Sequence, residues 1–430
     1  MDVVGDVAVP TRDLGAKLAE AVDVYVRTIR LLFARPFRAE GLVPPEPKRV
    51  LVLNYGAVGD TIFFLPALEA LRKAWPKARL VYVADHYVGT DMLAPTGLAD
   101  EYWRYSSADL WSGAGSARRE LADRIAAEPF DVAVIGPGTP LRGLGPALYR
   151  VPVRVGHCRR VSARREGWSA LGYGFWRLRR LVSRQELERR LVLNRKVWAS
   201  NEEHAVARNL RLISALGLPV PAPAESRPRL VVGEEARAFA RRELPDAPGR
   251  RTLGLHLGPP GTNYAKLWPL ERWVEALKRV GEKAPCRVAV LGGPEERERA
   301  ERFAAAFGGN CLVLAGKCGL LETFAAIERC ELFLSSDTGL SKAAMALGVP
   351  TVSVWGPVER VGYGVVWEPA KHEEVYHEVP CAPCVRFGTA EEGPGVLNFT
   401  NCGHHDCLNR LEAPAVAAAA LRRLGVEARP

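Results

Sequence analysis

Asp60 follows Gly59 in the run VLVLNYGAVGDTIFFLPAL, where an apolar stretch ends in a glycine turn and a helical pattern begins. A carboxylate there can take a proton from a hydroxyl, or it can cap the helix by accepting backbone N–H groups. About 280 residues later the pattern recurs in LFLSSDTGLSKAAMALGVP, with Asp337, Thr338, Gly339 and Leu340 opening a helix that carries Lys342. The free N–H groups and dipole of a helix start attract phosphate. Asp337 beside them suits ribose hydroxyls, a plain N-cap, or both. Between the two runs lies LGLHLGPPGTNYAKLWPLERW, whose loop offers Thr262, Asn263 and Lys266. Lys266 is a candidate for a diphosphate, set against the common fate of a lysine on the surface. In LGGPEE, Gly293 lets a ligand approach the backbone. Either Glu295 or Glu296 binds a ribose, or both merely occupy a helix's first turn. A base facing anion-seeking loops suits transfer of a group from an activated, phosphate-bearing donor, in which charge on the departing diphosphate must be stabilised.

Two further clusters stand outside these loops. Residues 141–200 hold 15 Lys/Arg against 3 Asp/Glu in a chain whose net charge is +10, so this segment alone makes the protein basic. Trp168, Tyr173, Phe175 and Trp176 lie among its arginines. Arginine clusters bind phosphate and carboxylate bidentately, and aromatic rings favour sugar faces and membrane interfaces. An anionic glycolipid or membrane surface fits. No nucleic-acid motif accompanies the charge, so no nucleic acid partner is expected; a solvated basic face is the bland alternative. Toward the C-terminus, CAPC and CGHHDC bring Cys381, Cys384, Cys402 and Cys407 together at spacings open to a structural zinc, to free or redox-active thiols, or to a disulfide pair.

The elements that must position these groups alternate between strand and helix. RVLVLNY, RLVYVAD, DVAVIGP, TLGLHLG, RVAVLGG, CLVLAG, ELFLSS and TVSVWG read as strands, and helices are expected over 61–74, 204–219, 339–347 and 414–424. Pro66 predicts a kink or restart in the first helix, and the last helix is expected to reach back to the first lobe. The chain therefore reads as α/β, with two doubly wound Rossmann-like domains facing a cleft, since ligands bind such sheets at the carboxyl ends of their strands. Residues 1–47 form an N-terminal amphipathic helix and linker. Residues 48–218 form the acceptor domain with a basic insertion at 141–200, 219–230 a linker, and 231–430 the donor domain with the cysteine cluster at 381–407. In the N-terminal helix Leu14, Leu18, Val22, Tyr25, Val26, Ile29 and Phe33 share one face, which either lies on an anionic membrane or packs on the protein itself.

Length, 48% hydrophobic and 25% charged residues describe a globular two-domain protein. No apolar run reaches the ~18 residues of a membrane span, and the first residues make a poor signal peptide. Nine cysteines, an odd number, argue against a secreted disulfide scaffold. The expected location is cytoplasmic, peripheral on the inner face of the cytoplasmic membrane.

In order, GAVGDTIFFLPAL, the Lys-x-Trp-Pro of AKLWPLERW, LGGPEE at 291–296 and DTGLSKAAMALGVPTVSVWGP resemble the heptosyltransferase family, glycosyltransferase family 9, over roughly residues 48–426. Those enzymes move a heptose from ADP-heptose onto the inner core of bacterial lipopolysaccharide. The resemblance implies the GT-B arrangement and an inverting transfer that requires no metal cofactor. Asp60 would be the base. Thr262, Asn263, Lys266, Gly293, Glu295, Glu296, Asp337, Thr338, Gly339, Leu340 and Lys342 would surround a nucleotide-diphosphate sugar. Gly59, Arg154, Arg159, Arg160, Arg164 and Arg165 would meet an anionic glycolipid acceptor. Lys342 departs from the family pattern, in which most members have histidine. The alternatives are a catalytically silent nucleotide-sugar-binding protein on the same scaffold, or a transferase using another nucleotide. A Rossmann oxidoreductase is disfavoured, because neither loop has the G-x-G-x-x-G spacing.

Overall fold

The computed structural model describes residues 39–426 apart from 86–87, 107–108, 111–115, 142, 160–183, 200–201, 259–265, 385–401 and 403, together with Val26, Ile29 and Phe33. Two six-stranded sheets form the frame. The first contains β1 (Arg49–Leu53), β2 (Arg79–Ala84), β3 (Glu101–Arg104), β4 (Val132–Ile135), β5 (Val153–Arg159) and β6 (Arg195–Ala199), ordered β3-β2-β1-β4-β5-β6. The second contains β7 (Arg251–His256), β8 (Cys286–Val290), β9 (Cys311–Val313), β10 (Leu332–Ser336), β11 (Thr351–Trp355) and β12 (His372–Tyr376), ordered β12-β11-β10-β7-β8-β9. All pairings are parallel. Read from the opposite edge, the second sheet repeats the winding of the first, so each lobe is a doubly wound unit of the Rossmann type.

The winding fixes where ligands can enter. Strand order reverses between β1 and β4 in the first sheet and between β7 and β10 in the second, and each reversal opens a crevice at the carboxyl ends of the strands. The turn after β1 leads directly into a helix whose first residues include Gly59 and Asp60. The loops after β7 and β10 carry Lys266 and Asp337. Central strands such as β1, β2, β4 and β10 are almost wholly buried, as expected where helices cover both faces of a parallel sheet.

Several expectations are corrected. The segment 141–200 is not an insertion as a whole: β5 and β6 lie within it and complete the first sheet, and only its middle, 160–183, lies outside the described residues. The helix Val58–Ala74 runs unbroken through Pro66. The last helix, Ala413–Arg423, stays with the second lobe. It packs in one apolar cluster with the helix Leu270–Lys283, and the Trp268 indole N–H donates to the Leu411 carbonyl at 3.1 Å.

The bond between lobes is made instead by the helices Val58–Ala74 and Ala205–Ser214 and by the stretch after β11. The Phe63 ring lies 4.8 Å from that of His204 and 5.7 Å from that of Trp367, and His204 Nε2 is 3.2 Å from the Gly364 carbonyl. One apolar cluster joins Phe63 and Leu65 of the first lobe to Ala343, Ala344 and Trp367 of the second.

Candidate functional site

The helix Val58–Ala74 begins right after the β1 turn, with Ala57 as its N-cap. Asp60 is thus the third helical residue rather than the cap, and its carboxylate is held by the backbone N–H of Ala57. Gly56 makes room for it, because a Cβ there would stand 2.7 Å from the Asp60 Cβ. The Asp60 side chain is exposed at the surface, yet enough protein encloses it to disfavour its charged form. That enclosure raises its carboxyl above the usual carboxylate range. Lys266 and the Ala57 N–H pull the other way, Asp337 adds to the rise, and Arg208 opposes it.

Facing Asp60 from the second lobe is an ion triad, buried at Asp337 and Lys342 and half-buried at Lys266. Lys266 Nζ lies 2.8 Å from Asp337 Oδ2, and Lys342 Nζ lies 3.0 Å from Oδ1. Burial alone would push the Asp337 carboxyl up, but Lys266 and then Lys342 hold it down at about 2. Lys342 is 4% exposed and sits 4.5 Å from the centre of the Trp355 ring. A cation at this depth survives because its carboxylate and an aromatic face replace water.

The helix Gly339–Leu347 starts beside the triad, with Thr338 as N-cap and a capping box to Ser341. Glycine on both lobes allows the contact there. A Cβ on Gly59 would stand 3.2 Å from the Gly339 Cα and 3.3 Å from the Lys342 Cγ, and one on Gly339 would stand 3.0 Å from the Gly59 nitrogen. The first lobe's loop therefore rests against the anion-binding end of the second lobe's helix, with Leu340 half-buried beside it.

The turn after β8 settles what each glutamate does inside the protein. Glu296 accepts the Gly293 N–H at 2.5 Å through one oxygen and contacts His256 Nε2 at 2.9 Å through the other, whereas Glu295 is exposed. Gly292 has φ +158°, and a Cβ there would stand 2.4 Å from the Glu296 carboxylate, so this turn requires glycine.

Of the other expected residues, Thr262, Asn263, Arg160, Arg164 and Arg165 lie outside the described residues, and Arg159 ends β5. Arg154 is corrected. It is fully buried, and its guanidinium donates to the carbonyls of Val192 at 2.6 Å and Ala39 at 2.7 Å, so it ties the sheet together rather than meeting an acceptor. A structural zinc at the four cysteines is not confirmed. Cys381, Cys384, Cys402 and Cys407 form no disulfide, and among the described residues no group of three or more His, Cys, Asp or Glu is arranged to hold a metal. Burial, with the other thiols adding to it, raises Cys407 to about 11, which suits a protonated thiol.

Two residues near the site carry no motif. Arg208 is buried on the helix Ala205–Ser214, near enough to influence Asp60, with its guanidinium 5.5 Å from the centre of the Tyr363 ring. His256 ends β7. A charge on the apolar face of an amphipathic helix and a lone histidine closing an apolar strand are the sequence signals that mark them.

A family model described as glycosyltransferase family 9 (heptosyltransferase) matches residues 182–393. Lipopolysaccharide heptosyltransferase 1 of Pseudomonas aeruginosa is 28% identical over 403 residues, covering 87% of this chain and 100% of the relative. In fold, the chain is similar to a glycosyltransferase family 9 structure from Veillonella parvula, with TM-score 0.67 and 20% identity, covering 91% of this chain and 100% of that one. It is also similar to the Escherichia coli ADP-heptose lps heptosyltransferase II, with TM-score 0.61 and 19% identity, covering 87% and 98%. The ordered motifs, the paired sheets of GT-B type and these matches agree: this chain is a glycosyltransferase that carries a glycosyltransferase family 9 (heptosyltransferase) domain over residues 182–393.

Proposed function

We propose that this glycosyltransferase moves a heptose, or a related sugar, from an ADP-linked donor to a lipopolysaccharide core or similar anionic glycolipid, inverting the anomeric centre. The observation that carries this reading is the meeting of Asp60 from one lobe with the Lys266–Asp337–Lys342 triad from the other. Asp60 takes the proton of the acceptor hydroxyl as its oxygen attacks the anomeric carbon from the face opposite the diphosphate. Lys266, Lys342 and the free N–H groups at Gly339 and Leu340 supply positive charge to the leaving diphosphate, the task a divalent metal performs elsewhere. Thr262, Asn263 and the turn 292–296 complete the donor's surroundings. The names of the relatives, which include ADP-heptose and lipopolysaccharide, support the donor and acceptor.

A thermal-shift panel of ADP, UDP, GDP and CDP tests the donor. A ligand at about 100 times its dissociation constant stabilises the folded state by about 2.7 kcal/mol. ADP is expected to raise the melting temperature selectively, and Lys266→Ala to remove most of that rise. A larger response to another diphosphate would replace ADP as the donor nucleotide.

We also infer that the enzyme works at an anionic membrane surface. Val26, Ile29 and Phe33 are helical and 42%, 48% and 78% exposed, and their spacing puts them on one face. Arg27, Arg30, Arg35 and Arg38 accompany them in sequence, the composition of an interfacial helix. Among the described residues no helix is long and apolar enough to cross a membrane. The protein should co-sediment with phosphatidylglycerol vesicles, and Ile29→Ser/Phe33→Ser should lower the bound fraction several-fold. Equal binding by parent and variant would reject the helix as the contact.

A further inference from the structure

His256 closes β7, the strand at the reversal point of the second sheet, with β8 on one side and β10 on the other. Its buried ring reaches both neighbours. Nε2 lies 2.9 Å from Glu296 Oε1 in the turn after β8, and Nδ1 lies 3.0 Å from the Thr338 hydroxyl after β10. The Glu296 carboxylate can only accept, so Nε2 carries a proton; in the neutral ring Nδ1 then accepts the Thr338 hydroxyl hydrogen.

We propose that His256 is a positioning residue for the nucleotide donor: its imidazole fixes the separation between the glycine turn 292–296 and the start of the helix Gly339–Leu347. Three observations lead there. The ring joins the carboxyl ends of three adjacent strands at the crevice where a doubly wound sheet receives its ligand. The two loops it joins follow β8 and β10, the strands on either side of β7. The second Glu296 oxygen holds the Gly293 N–H, so the bridge also sets the shape of the turn that only glycine permits at Gly292. The loop that ends at Lys266 leaves the sheet directly after His256, so its root is fixed by the same ring. This role rests on the donor reading given above.

The test uses the full chain. His256→Asn keeps a polar group near the place of Nδ1 and loses the reach to Glu296, while His256→Gln keeps one near Nε2 and loses Thr338. In each variant the dissociation constants of ADP, UDP, GDP and CDP are measured by calorimetry, alongside donor KM, acceptor KM and melting temperature. Loss of a hydrogen bond to a charged partner predicts an increase of about tenfold or more in ADP dissociation constant and donor KM for His256→Asn, with acceptor KM near the parent's and a lowered melting temperature that still leaves the protein folded at the assay temperature. His256→Gln should show the same selectivity for the donor. Unchanged donor binding in both variants overturns the proposal. So does a loss that follows only the folded fraction, with surviving protein binding at parental affinity. A parent protein that binds none of the four nucleotides overturns the donor reading, and this role with it.

Discussion

Asp60→Asn should lower the turnover of sugar transfer by about 10²–10⁴-fold, the range contributed by a positioned general base, while ADP binding stays close to that of the parent. The amide keeps the shape of the carboxylate and cannot accept the acceptor's proton. The same variant should melt at a higher temperature at pH 7. Enclosure raises the Asp60 carboxyl in the folded protein above its ordinary 3.8. A raised folded value favours folding while the group is protonated; that contribution is fully present below 3.8 and is lost as pH rises through the raised value. At neutral pH the ionised group therefore costs stability, which the neutral amide does not. Calorimetric scans should show a gain for the variant at pH 7 that shrinks as pH falls toward 3.8. The raised value also places the acidic limb of the pH–rate profile above the usual carboxylate range. Parental turnover in Asp60→Asn would remove Asp60 from the base role.

Lys342→Met should destabilise the protein by about 3 kcal/mol, because breaking a buried ion pair leaves charge without its full complement. Asp337 keeps Lys266, so the loss belongs at the lower end of the range for such pairs. The held-down Asp337 carboxyl gives the pH dependence. With a folded value of about 2 against an ordinary 3.8, its contribution is present above 3.8 and is lost as pH falls toward 2. Removing Lys342 lets the value rise, so the variant should lose stability at higher pH than the parent in urea titrations. Lys342→Met/Asp337→Asn should recover much of the loss, since the unbalanced carboxylate is gone. A double variant no more stable than the single would mean that Lys342 acts through its packing on Trp355 rather than through Asp337.

Most strands legible in sequence are interior ones covered on both faces; the edge strand β9, half-buried, is legible too. RVLVL, RLVYVA, VAVI and LFLSS are apolar over most of their length because helices cover them. The strands that sequence patterning misses are β3, β6 and β12, with EYWR, RKVWA and HEEVY, and the interior strand β5. The first three lie at sheet edges, where polar side chains reach water. β5 is hidden by Arg154, a charge in an interior strand. Its guanidinium is satisfied by carbonyls at 39 and 192, far away in sequence, so local composition reads as a basic surface. The last helix misleads for a similar reason: an alanine-rich face packs on either lobe, and the bond from Trp268 to Leu411 decides which.

By itself the sequence determined the strand–turn–helix units, the residues that stand at their turns, and the family whose ordered motifs those turns carry. These are local properties, written in short runs of apolar residues, glycine and charge. Tertiary structure alone decided which of those residues meet. Lys266 and Lys342 share Asp337, Gly59 touches Gly339, Glu296 rather than Glu295 is bound to the protein, and His256 spans two loops. The partners of these contacts lie 40, 71, 82 or 280 residues apart, except for the local pair formed by Lys342 and Asp337. They become neighbours only because both sheets reverse their strand order at the centre, and no local pattern encodes that order.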